Sequence, residues 1–125
     1  MEYVLLIYRN EAELAARSDA ERQALFAEYM ALTRSLEQEG KLRGGQFLHG
    51  PALTTTVRVR QGSVLATDGP FAETKEQLTG FYVVAAADLD EAMALAARIP
   101  SARDGSIEVR PVRASHVPGA EPATY

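Results

Sequence analysis

The sequence predicts an α+β sandwich, on three observations. Apolar runs of strand length at residues 2–8, 80–87 and 106–112 enclose two stretches of helical periodicity, at 18–40 and 88–100. Gln61-Gly62 splits a hairpin out of the middle of the chain. A length of 125 residues provides for a single domain. The order strand, helix, strand, hairpin, strand, helix, strand is two strand-helix-strand units joined by an insertion, which is the plan of a ferredoxin-like sandwich with both helices on one face of an antiparallel sheet. The domain is expected to span residues 1–112, with 113–125 as an irregular tail.

The first strand, Glu2 to Tyr8, is apolar in both alternating sets: Tyr3, Leu5 and Ile7 on one face, Val4, Leu6 and Tyr8 on the other. It is expected to be covered on both sides. Ser18 and Glu21 stand at capping-box spacing ahead of Leu25, Tyr29, Leu32 and Leu36, which share one helix face, and Gly40 supplies a left-handed stop. Leu42 to Gly50 is short, and its Gly44-Gly45 pair suggests a strand with a bulge or a close backbone approach.

Thr54 to Arg60 alternates, with Val57 and Val59 facing one side and Thr56, Arg58 and Arg60 the other; it pairs naturally with Ser63 to Thr67. Gly80 to Ala87 is a further apolar strand. Asp88 and Glu91 then open a helix whose Leu89, Ala92, Ala96 and Ile99 share a face, closed by Pro100. In the last strand, Ser106 to Val112, Ile107 and Val109 point inward while Glu108 and Arg110 take the opposite face. From Arg113 to Tyr125 two prolines and no apolar periodicity predict an irregular surface segment.

Composition removes several function classes. Hydrophobic residues at 46% and charged residues at 24% are those of an ordinary globular domain. Seventeen acidic against thirteen basic residues leave a net charge of -4, so there is no overall positive field for phosphate backbones or anionic lipid. Without cysteine there is no disulfide, thiolate metal site or thiol nucleophile. The N-terminal run is too short and too acidic at its start for a signal peptide or membrane span, so a cytoplasmic protein is expected. No metal is expected, since no two histidines stand at ligand spacing, and no nucleotide cofactor, since Gly44, Gly45 and Gly50 do not form a phosphate loop. RNA is not expected either, because SIEVRPV brings no aromatic residue for base stacking.

Two helices on one face leave the other face of an apolar sheet open. A second copy presenting the same face is the simplest cover, so a homodimer with a pocket between its sheets is expected.

The densest signal is Asp68 to Leu78, DGPFAETKEQL. Thr67-Asp68-Gly69-Pro70 reads as a turn, in which the Asp carboxylate can accept hydrogen bonds from amides further on, and Phe71 as an apolar anchor. Glu73, Lys75 and Glu76 place three charges ahead of a buried strand and near the outward Arg58. A carboxylate in such a cluster suits proton transfer and the cations suit an anionic substrate; the same residues equally describe a turn and a solvated surface.

The string DGPFAETKE at 68–76, with TTVRVRQGSVLATDGPF before it and GSIEVRP after it, resembles the DGPFAETKE (DGPF) family of the YCII-related superfamily from Tyr3 to Val112. The resemblance implies a ferredoxin-like fold dimerising into an α+β barrel, with a site in a cleft near the dimer interface. It implies no established substrate. In the wider superfamily a histidine and aspartate pair is the suspected catalytic element, and some members of this branch are associated with transcription initiation through extracytoplasmic-function sigma factors. The superfamily's histidine lies in the first helix, where this chain has none between Ser18 and Gly40, so that pair does not carry over.

Of the two histidines, His116 lies in the tail, while His49 precedes Gly50-Pro51 and reads as a partly exposed polar residue. It would serve as a base only if it reached Asp68. Two functions follow. In the first, a small-molecule enzyme or binding protein, Asp68 and Glu73 are the catalytic candidates and Arg58, Lys75, Glu108 and Arg110 the substrate-binding ones. In the second, a non-catalytic interaction protein such as a sigma-factor partner, the motif only builds the turn and an interface.

Overall fold

The computed structural model describes residues 1–113. In chain order it contains β1 (Glu2–Arg9), α1 (Glu11–Ala15), α2 (Asp19–Gln38), β2 (Leu42–Phe47), β3 (Thr55–Arg60), β4 (Ser63–Asp68), β5 (Gln77–Ala85), α3 (Leu89–Ala97) and β6 (Ser106–Pro111). Short 3-10 turns occupy Pro51–Leu53 and Pro100–Arg103. Four strands form an antiparallel sheet in the order β2-β5-β1-β6, so the two strand-helix-strand units interlock at their central strands. This is the ferredoxin-like α+β arrangement.

Period-two alternation sorts the sheet into two faces. Tyr3, Leu5 and Ile7 of β1 and Tyr82 and Val84 of β5 are buried against the helices. Leu5, Ile7, Leu36, Val84 and Ile99 are the largest fully enclosed apolar side chains. Each such aliphatic side chain contributes roughly 1.5–3 kcal/mol by leaving water. The other set, including Val4, Leu6, Phe81 and Val83, is half-buried.

Both bonds of the α2 capping box form: Ser18 Oγ accepts from Glu21 N–H, and Glu21 Oε1 accepts from Ser18 N–H, each at 3.1 Å. Tyr29, Leu32 and Leu36 then face the core, and Gly40 ends the helix at φ +71°. In α3, Asp88 caps Glu91 N–H at 2.9 Å. The buried face of α3 is Ala92, Leu95 and Ala96; Leu89, expected on that face, is 50% exposed because it occupies the first turn at the helix edge. Ile99 is buried, but beyond the helix end, and Pro100 opens a 3-10 turn instead of merely closing the helix. The sequence reading passed over α1, a single turn capped by Asn10, whose Oδ1 accepts from Glu13 N–H at 3.0 Å.

Both readings of the Gly44-Gly45 pair hold. The β2–β5 register shifts between Leu42 and Gly44, and a Cβ on Gly45 would lie 2.7 Å from the Phe81 carbonyl oxygen. The hairpin leaves the main sheet altogether. Among the described residues, strands β3 and β4 pair only with each other, joined through Gln61 and Gly62, both at positive φ as a two-residue hairpin turn requires. Val59 and Val64 are directly opposed and, like Val57, stand exposed. The expected tail from Ala114 onward, His116 included, lies outside the described residues. No helix among the described residues is long and apolar enough to cross a membrane.

Candidate functional site

The motif is fastened at both ends. At its start, Gly69 at φ +91° turns the chain out of β4; its N–H donates to the Thr54 carbonyl and its own carbonyl accepts from Thr56 Oγ1, both at 2.7 Å. At its end, Gln77 joins two segments: Oε1 accepts from Glu11 N–H at 3.0 Å and Nε2 donates to the Thr74 carbonyl at 2.6 Å. Asn10 Nδ2 donates to the Lys75 carbonyl at 3.3 Å, and Ser106 Oγ donates to Glu76 Oε1 at 2.7 Å. Residues 74–77 are thus pinned to the β1–α1 junction and to the start of β6.

Between these anchors the motif overhangs a cavity of about 710 Å³. That volume falls within the range of small-molecule sites. Three segments meet there: the β1 end through Tyr8, the β2–β3 connection through His49 and Thr54 to Thr56, and the motif through Pro70, Phe71, Ala72 and Thr74. The motif offers its apolar and hydroxyl groups; Asp68, Glu73 and Lys75 are not part of the lining. Phe71 is 78% exposed at the edge, an anchor with little to rest on inside one chain.

The structure disperses the expected charge cluster. Asp68, Glu73, Lys75 and Arg58 are exposed, and their side chains make no hydrogen bond or ion pair among the described residues. The Asp68 carboxylate therefore does not cap the turn as expected; the Gly69 backbone and the Thr56 hydroxyl perform that work. Arg58 belongs to the separate hairpin, opposite Leu65, whereas Glu108 and Arg110 lie on β6 at the far edge of the main sheet. Those two pair with each other at 3.7 Å on one face of their strand. His49 makes no hydrogen bond to Asp68, so a base with its orienting carboxylate is not assembled.

Tyr8 is the site residue that sequence reasoning missed, having been counted with the apolar set of its strand. Its phenol is pushed above the usual range, first by burial and then by the Glu108 carboxylate, with Arg110 opposing. At neutral pH it therefore stays protonated, with its one O–H proton drawn toward the Glu108 carboxylate and its oxygen left as an acceptor at the cavity wall. His49 and Tyr8 are the titratable groups of the lining; of its four threonines, Thr56 and Thr74 donate to the Gly69 and Glu76 carbonyls and Gln77 is held at both ends of its amide, so Thr54 and Thr55 offer the uncommitted hydroxyls. Such a set can orient a small polar group and exchange one proton with it. Nothing in it resembles a nucleophile held by a base.

The description of the YCII-related domain matches residues 1–115. The chain belongs to the YCII-related family. Within that family it is similar to an uncharacterised protein of Rhizobium meliloti (strain 1021), 38% identical over 98% of this chain and 100% of the relative. In this chain DGPFAETKE lies at the mouth of the cavity, and the histidine expected in the first helix of the wider superfamily has no counterpart on α2.

Proposed function

We propose that this YCII-related protein belongs to the DGPF branch and acts as a homodimeric small-molecule enzyme or binding protein whose site is the cavity beneath the motif. The observation that carries this reading is the meeting of Phe71, Tyr8 and His49 around one cavity of about 710 Å³. A mostly apolar wall with a few convergent polar groups is the usual make-up of a small-molecule site. In this reading the Tyr8 oxygen accepts from a ligand donor, His49 exchanges a proton at the mouth, and Phe71 closes over the bound molecule. Asp68, Glu73, Arg58 and Lys75 are rim groups that reach a ligand only when a second subunit closes the mouth. The Glu108–Arg110 pair extends the polar side of the site along the open face from Tyr8.

The test is a thermal-unfolding screen of the full chain against a library of small metabolites, repeated with His49→Gln and Phe71→Ala. Ligand binding to the native state raises the midpoint. The expected result is a compound that raises the wild-type midpoint and acts about tenfold more weakly on at least one variant of unchanged unliganded stability. A screen without any stabilising compound, or one whose hits ignore both substitutions, overturns the reading.

A second reading is favoured by one observation: Phe71 is exposed amid the exposed charges of Asp68, Glu73 and Lys75. An apolar centre with a charged rim is the anatomy of a protein interface. There the protein is a non-catalytic partner, a sigma factor being the partner class that the motif resemblance implies. Its test is co-purification with Phe71→Ala as control: a stoichiometric partner lost in the variant supports it, and no stoichiometric partner removes it.

A further inference from the structure

Arg9 ends β1 on the face that carries Tyr3, Leu5 and Ile7 into the core, and it is only 6% exposed. A guanidinium so placed needs a counter-charge and partners for its five N–H donors. One Nη2 donates to Asp104 Oδ2 at 3.3 Å. That oxygen is shared with Arg17, which approaches it more closely. Among the described residues no other partner is present for the remaining Arg9 donors. Buried polar groups left in this state call for an explanation.

Arg9 lines a cavity of about 250 Å³ between the sheet and the segment from α1 into α2. Other polar groups of its wall are already committed. The Tyr29 hydroxyl meets Ser101 Oγ, and Thr79 Oγ1 donates to the Ile7 carbonyl at 3.3 Å. Arg22 is taken up by Asp19 and by the Ala15 and Arg17 carbonyls. Glu11 adds a carboxylate that makes no ion pair among the described residues and lies close to Gly50. The rest is apolar, with Phe47 set edge-on to Tyr29 at a centroid separation of 5.2 Å. Leu48 is the one lining residue shared with the motif cavity, so this site stands apart from the reading proposed for that cavity.

We propose that this cavity binds a small monocarboxylate with a compact apolar body of about one ring, its carboxylate on the Arg9 fork and its body against Phe47 and Tyr29. The chemistry selects a monoanion. Arg9 has spare donors in a low-dielectric wall, where a charge-assisted pair is strong. A phosphate dianion would bring a second negative charge toward Glu11 and Asp104 with no further uncommitted cation among the described residues that line the cavity. The volume suits a single ring and excludes nucleotide-sized molecules.

Sodium benzoate, sodium isobutyrate and neutral benzamide, titrated into the full chain by calorimetry and amide chemical-shift mapping, test this. The expected result is saturable benzoate binding that shifts the Leu25, Phe26 and Phe47 amides ahead of those of Thr54 and Phe71, with benzamide at least about tenfold weaker. Arg9→Met is expected to abolish binding. Because Arg9 is buried, Phe26→Asp serves as a second variant: Phe26 is 60% exposed on the cavity wall, so the fold tolerates the change while the new carboxylate weakens benzoate about tenfold. The proposal fails if neither carboxylate saturates by about 10 mM. It fails equally if benzamide matches benzoate, if the shifts map to the motif cavity, or if Phe26→Asp binds benzoate like the wild type.

Discussion

Thr56 Oγ1 donates to the Gly69 carbonyl at 2.7 Å, so a side chain near the base of the hairpin holds the turn that launches the DGPF motif. The reciprocal backbone bond from Gly69 N–H to the Thr54 carbonyl closes the same ring of chain. Thr56→Val keeps the shape and strand preference but removes the donor, leaving the half-buried Gly69 carbonyl one partner short. The expected cost is about 1 kcal/mol, read as a lower urea midpoint at unchanged m-value. An unchanged midpoint would mean that the backbone bond alone fixes the turn.

Adjacent glycines in β2 are expected to respond in opposite ways. A Cβ on Gly44 meets nothing within 4 Å, whereas a Cβ on Gly45 comes within 2.7 Å of a backbone oxygen of the neighbouring strand, which cannot rotate away. Gly45→Ala should therefore force β2 and β5 apart and cost about 1–3 kcal/mol. Gly44→Ala should be neutral within about 0.5 kcal/mol. Equal urea midpoints for the two variants would show that the β2 edge yields freely.

Acid stability should follow three carboxylates that are all held below their ordinary value of 4.5. Glu21 owes this first to the backbone hydrogen bond from Ser18, Glu39 to its hydrogen bond from Arg98, and Glu91 to the backbone hydrogen bond from Ala87. A depressed native pKa means that the unfolded chain binds protons more readily. The stabilisation is therefore complete above pH 4.5 and is lost as pH falls through the lower native values. Glu39→Gln should lower the urea midpoint at pH 6 and flatten its decline on acidification, with the two profiles converging at the acid end. Parallel profiles would remove Glu39 from the acid response.

The fold was legible because its signals are local and agree with one another. The Ser18–Glu21 box, the Gly40 stop and the alternation in β1 each specify an element without knowledge of the rest. The site was not, because charge density in a linear segment does not say which side chains converge. Asp68, Glu73 and Lys75 are neighbours in the chain, yet the cavity takes Pro70, Phe71, Ala72 and Thr74 from between and beside them. Tyr8 and His49 reach it only through the pairing of β1 and β2 with β5, which no spacing rule encodes. One signal was available and unused: Arg9 continues the buried series Tyr3, Leu5, Ile7, and an arginine in phase with a core face is a reason to look for what it holds.

The hairpin provides the sharpest test of the proposed second subunit. A two-stranded ribbon is marginal by itself, and this one shows Val57, Val59 and Val64 at 60–70% exposure on one face. The half-buried set Val4, Leu6, Phe81 and Val83 on the main sheet likewise lacks a helix over it. A two-fold partner that lays its own hairpin and sheet against these residues covers both at once, which a one-sided partner does not. The wild type is expected to scatter light as a dimer of 13.6 kDa chains. Val59→Lys with Val64→Lys would set two like charges opposite each other in the ribbon and inside the contact, shifting the protein to monomer at micromolar concentration while the circular dichroism of the main sheet and helices persists. A monomeric wild type removes the second subunit from the proposed site. A dimer indifferent to both lysines moves the contact away from the hairpin, onto the open face of the sheet.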